Sequence, residues 1–155
     1  MPGLPVLRHP ARMSSSRLQR GRVSAAGAIY ILTTVTHHRQ PLFAVRANAH
    51  AVIEALRHVE RSGRSRTHAW VVMPDHVHCL MELRAGTLAT CMNILKSRSS
   101  RLMGGSQVWQ RGYHDHALRQ EESLLQAARY IVANPLRAGL AEQAGEYPYA
   151  WCRGL

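Results

Sequence analysis

From His76 to Leu83 the chain alternates strictly: Val77, Cys79, Met81 and Leu83 take one parity, and His76, His78, Leu80 and Glu82 take the other. Side chains two apart on a strand share a face. The run therefore reads as a β-strand with one apolar side. Both imidazoles project from its other side, close enough together to hold one cation. A rigid strand fixes such a pair better than a loop would. Taken alone, the pair also fits two histidines on a half-exposed strand.

The neighbouring segments extend this to a fold. Ala28 to Thr36 is β-branched and reads as the first strand. Ala47 to Glu60 puts Val52, Ile53, Leu56 and Val59 on one helical face, closed by Ser62-Gly63. Thr67 to Met73 reads as a second strand, and Pro74-Asp75 turns it into the third, His76 to Leu83. Thr87 is placed to cap a helix carrying Leu88, Cys91, Met92 and Leu95 inward and ending at Gly104-Gly105. A fourth strand is expected around His114 to Leu118, then a helix from Ser123 to Asn134. The order βαββαβα predicts an α+β ferredoxin-like sandwich. Its antiparallel sheet has about four strands, with helices on one face and a C-terminal helix beyond them.

That last helix carries a second constellation. Leu124, Leu125, Ala128, Ile131 and Val132 form one apolar stripe. On the same wheel Tyr130 falls roughly 160° from the stripe's centre, and Asn134 lies about 40° from Tyr130. Tyr130 is thus read as lying off the core face, as an amphipathic surface cover or as a functional phenol. Asn134, before Pro135, is suited to end one helix and cap the next, which leaves its side-chain oxygen able to ligate. Two imidazoles and an amide oxygen make an incomplete shell around a divalent ion, as expected of a catalytic site. A phenol beside such an ion is a nucleophile candidate for phosphodiester chemistry.

Charge points to the same class of partner. The 155 residues, enough for one domain, hold 20 Lys+Arg against 9 Asp+Glu, a formal net charge of +11. That imbalance suits a polyanion. Arg17, Arg20, Arg22, Lys96, Arg98 and Arg101 are candidate DNA contacts. Residues 1–26 read as a basic, poorly ordered arm and 27–155 as the catalytic domain. The three cysteines are too few and scattered for a disulfide framework or a cysteine zinc site. Cys79 and Cys91 fall in apolar patterns, which suits a reducing compartment. With no apolar run near the ~20 residues a bilayer requires, no membrane partner is expected, and a cytoplasmic location is. His114 and His116 repeat the two-apart spacing, and a structural hydrogen-bond network with Asp115 is their expected role.

Several stretches together resemble the single-tyrosine transposases of the His-hydrophobic-His endonuclease superfamily, in particular the REP-associated branch. They are GAIYILTTVT (27–36), WVVMPDHVHCLM (70–81), WQRGYHDHALR (109–119) and ARYIVANPLRAGL (128–140). The resemblance implies that His76 and His78 bind the metal, Asn134 supplies the third ligand and Tyr130 is the nucleophile. It implies Mg2+ or Mn2+, where imidazole alone would suggest zinc or a later transition metal. It also implies cleavage of single-stranded DNA in hairpin-forming palindromic repeats, through a 5′-phosphotyrosine and a free 3′-hydroxyl, on a ferredoxin-like fold. A homodimer is left open. The alternative is a non-catalytic nucleic-acid-binding ferredoxin-like module, either a domesticated copy or an RNA-binding type. The latter lacks its full eight-residue Arg/Lys-Gly-aromatic signature here.

Overall fold

The computed structural model describes residues 25–105, 107–119 and 121–154. Arg17, Arg20 and Arg22, and all but the last two residues of the expected arm, lie outside them.

The described residues form five strands: β1 (Ile29–Val35), β2 (Ser65–Val72), β3 (His76–Leu83), β4 (His114–Ala117) and β5 (Ala150–Cys152). The helices are α1 (Arg46–Arg61), α2 (Leu88–Leu102), α3 (Leu124–Val132) and the short α4 (Asn134–Arg137). The sheet order is β4-β1-β3-β2-β5, and every pairing is antiparallel. The first four strands, with α1 and α2, form the expected ferredoxin-like sandwich. β5 is an unexpected fifth strand. Its three residues, Ala-Trp-Cys, are too short to show a period.

Alternation sends the two sides of β3 into different apolar layers. Val77, Cys79, Met81 and Leu83 pack with Val52, Leu56 and Val59 of α1 and with Leu88, Cys91, Met92 and Leu95 of α2. Both Cys79 and Cys91 are buried there as free thiols. Leu80 belongs to the other layer, with Ile31, Val71, Met73 and the helix residues Ala127, Ala128 and Ile131. So α1 and α2 cover one face and α3 the opposite one. A bulge makes β2 fit both layers: pairing shifts between Thr67, opposite Met81, and Ala69, opposite Leu80. The extra residue, His68, reverses the alternation and turns Ala69 and Val71 toward α3.

Local signals set most boundaries. The side-chain oxygen of Thr87 accepts the Thr90 amide at 3.2 Å and caps α2. Ser123 does the same for α3 through the Gln126 amide. Gly63, at φ 83°, takes the left-handed conformation that ends α1. The tyrosine helix departs from expectation in two ways. It stops at Val132, and Asn134 begins α4, with Ala133 and not Asn134 in the capping position. Leu125 is exposed, whereas Ala127 is buried. The buried stripe is therefore Ala127, Ala128 and Ile131 with Leu124 beside it, and Tyr130 stands about 110° from its centre. Two alanines serve as well as leucines there because they let the helix approach the sheet closely.

Candidate active site

In an antiparallel sheet, directly opposed residues project from the same face. Thr33 of β1 opposes His78 of β3, and His78 opposes Val71 of β2. On the other side Thr33 opposes His114 of β4, and Ile31 opposes His116. All four histidines therefore lie on the face that α3 covers. His78 borders the apolar floor of that helix: Val71 is its cross-strand partner, and Leu80 follows it on the same side of β3.

The two-residue spacing produces the expected pair. The rings of His76 and His78 are 4.8 Å apart, centre to centre, and nearly perpendicular. His78 is buried and its Nδ1 lies 2.8 Å from the Thr33 hydroxyl. Nδ1 of His76 lies 2.6 Å from an Asp75 carboxylate oxygen. Arg39 pairs with that carboxylate's other oxygen at 3.3 Å, from a turn where His38 and Arg39 both adopt positive φ. Burial pushes the pKa of Asp75 up, but the hydrogen bond and charge of His76, then Arg39, outweigh it and hold the carboxyl below its usual range. Anchoring Nδ1 fixes ring orientation and makes Nε2 the nitrogen that would face a cation. Asp75 thus orients a histidine in addition to serving the turn.

Among the described residues, no cluster of three or more His, Cys, Asp or Glu side chains is arranged to hold a metal. The paired imidazoles by themselves make an open shell, which leaves further positions for a neutral amide and substrate oxygens. His114 sits two strand spacings from His78 on the same face, roughly 10 Å between backbones. His116 is held by Glu122, at 3.1 Å, and not by Asp115, which lies opposite Leu32 on the other parity of β4. Nothing in the local pattern singled out Glu122.

Tyr130 is partly buried on α3, outside the apolar layer. The Arg137 guanidinium lies over its ring, 3.9 Å from the centroid. Asn134, also partly buried, opens α4 four residues later. The basic candidates on α2 diverge. Lys96 donates to the carbonyls of Gln110 (2.9 Å) and Gly112 (2.5 Å), tying the 110–112 loop to α2. Arg98 approaches Glu54 at 3.8 Å, and Arg101 is exposed.

Burial pushes the Lys96 amine down from 10.5 to about 8. Between those values the unfolded chain binds a proton that the folded chain lacks, so this group makes stability rise with pH. Its contribution is complete above about 10.5 and is lost as pH falls through about 8. Wild type should therefore gain stability relative to Lys96→Met across that window in urea titrations. A difference independent of pH would refute the assignment.

The family model described as "Transposase IS200 like" matches residues 24–134. The chain belongs to the IS200-like transposase family. A REP-associated tyrosine transposase of Escherichia coli (strain K12) is 28% identical over 103 residues, covering 65% of this chain and 60% of the relative. The match thus spans less than two thirds of that protein. Among solved structures, a REP-associated tyrosine transposase bound to a REP hairpin superposes with a TM-score of 0.74 at 24% identity, over 83% of this chain and 79% of that one. A Deinococcus radiodurans R1 protein gives a TM-score of 0.53 at 23% identity, over 73% and 95%. Both structural likenesses concern the fold. Among the described residues no helix is long and apolar enough to cross a membrane.

Proposed function

We propose that this family member is a metal-dependent single-strand DNA endonuclease and strand transferase with Tyr130 as its nucleophile. The observation that carries the reading is the docking of α3, which bears Tyr130 and leads into Asn134, on the same sheet face as the paired histidines. His76, His78 and Asn134 would hold Mg2+ or Mn2+, and a cation bound there would stabilise charge developing on the phosphoryl oxygens. Thr33 and Asp75 orient the imidazoles. Tyr130 Oη attacks phosphorus, a P–O bond to the phenol forms, and the bond to the 3′ oxygen breaks. The phenolic proton passes to solvent, and the departing 3′ oxygen takes one from water. The product is a 5′-phosphotyrosine, which keeps a phosphoester link so that a 3′-hydroxyl can reverse the step without a nucleotide cofactor.

The substrate follows from the company the fold keeps. The solved neighbour holds a REP hairpin, and a net charge of +11 suits a polyanion. A hairpin-forming palindromic repeat with a single-stranded flank is the proposed substrate. Arg101, the face around Arg98 and Lys96, and Arg17, Arg20 and Arg22 of the N-terminal arm are the proposed phosphate contacts. Cytoplasmic action is part of this reading, as is catalysis by the segment 27–155.

The test uses wild-type protein, manganese and a labelled hairpin with a single-stranded flank. A denaturation-resistant adduct is expected. Trypsin should leave the label on the peptide 130–137, which lies between Arg129 and Arg137 and contains a single tyrosine. Label on any other peptide rejects the nucleophile. Hairpin binding with no adduct supports the non-catalytic module instead.

A further inference from the structure

We infer that Arg137 grips the scissile phosphate beside Tyr130, a role that rests on Tyr130 being the nucleophile. In an unbroken helix, residue 137 would sit seven residues on, about 10 Å along the axis. Here α3 ends at Val132, and α4 starts at Asn134 with Pro135 in its first turn. The break allows Arg137 to return over Tyr130. Its Cζ lies 3.9 Å from the ring centroid, and Nη2 donates to the Tyr130 carbonyl at 2.7 Å.

The carbonyl bond has a structural explanation. The last carbonyls of a helix lack partners, and a cation is favoured at that end. The ring contact is not required for it. Its consequence is chemical: a cation is held on the face of the one side chain proposed to attack a phosphodiester. Reaction requires phosphorus within roughly 3–3.5 Å of the phenolic oxygen, so the non-bridging oxygens arrive within reach of the guanidinium. A guanidinium presents five N–H groups in a planar fork suited to phosphate. One N–H serves the carbonyl, and the outer edge of the fork can receive a phosphate oxygen. Arg137 neither gives nor takes a proton; it orients the phosphate and offsets charge on its oxygens as the P–O bond to Tyr130 forms.

The experiment compares wild type, Arg137→Gln and Arg137→Lys on two hairpins at saturating manganese. One carries the natural scissile phosphate and the other a methylphosphonate, which lacks the negative charge. On the natural substrate, Arg137→Gln should slow adduct formation by about 10²-fold while hairpin affinity stays within about twofold, and Arg137→Lys should recover part of the rate. On the methylphosphonate the gap between wild type and Arg137→Gln should shrink to less than about threefold, because the charge that Arg137 serves is gone. An unchanged rate in Arg137→Gln, or equal losses on both substrates, overturns the inference and leaves Arg137 as a helix-end support. If the wild-type label is not on the peptide 130–137, the failure lies instead in the reading of Tyr130, and the inference falls with it.

Discussion

Tyr130→Phe should form no covalent adduct and His78→Ala should form it far more slowly than wild type, and both should bind the hairpin within about twofold of wild type. The two losses have different origins. Phenylalanine keeps the ring, its partly buried position and its contact with the Arg137 guanidinium, and removes only the attacking oxygen. Tyr130→Phe should therefore show no adduct at any metal concentration. Alanine at His78 removes one of two imidazoles. Loss of several kcal/mol of charge stabilisation corresponds to roughly 10²–10³-fold in rate, and raising manganese should recover part of it. Removal of His78 also leaves the buried Thr33 hydroxyl without the imidazole it meets at 2.8 Å, at about 1–3 kcal/mol in stability. A melting curve separates that cost from the chemistry. Binding survives in both because it rests on phosphate contacts spread over a basic surface. An adduct in Tyr130→Phe excludes this nucleophile. A full rate in a folded His78→Ala, without added metal, excludes the histidine pair as the cation site.

The sequence made the pairs legible but not their meeting. A two-residue period places His76 beside His78 without further information, since it depends only on the strand pleat. The same period links His114 to His116. That all four occupy one face depends on register across β4, β1 and β3, which is set by long-range pairing and has no local sign. The bulge at His68 was invisible for a similar reason: Ala69 to Met73 is a continuous apolar run with no period to break, and only the partner strand shows the slip. Leu125 looked like core because residues at one-turn spacing count equally in a periodicity. Packing chose Ala127 instead, where a small side chain allows contact with Val71 and Leu80. Lys96 was read as a phosphate contact by its charge, and its engagement with two carbonyls arises from a loop fourteen to sixteen residues downstream. Pro135 announced a helix boundary, but not that the break would carry Arg137 back onto Tyr130.

Truncating Ile131 to alanine tests how that helix is held. α3 has nine residues, below the ~12–15 at which isolated helices become even marginal in water, so its order depends on docking. Of its three buried side chains, Ala127, Ala128 and Ile131, only the isoleucine is large, and it is fully buried against the layer containing Ile31, Val71, Met73 and Leu80. Such a truncation costs about 2–5 kcal/mol. The remaining sheet is anchored on its opposite face by α1 and α2, so the loss should fall on α3 before it falls on the whole domain. Amide exchange should accelerate by about 30-fold or more across 124–132, at about 1.4 kcal/mol per tenfold, while residues 77–81 remain protected. Adduct formation should fail at temperatures where the sheet is still intact. Exchange that rises equally in both segments, with adduct yield tracking the folded fraction, would mean that α3 and the sheet form one cooperative unit. The nucleophile would then be positioned by the whole fold, and not by one isoleucine seated on the histidine face.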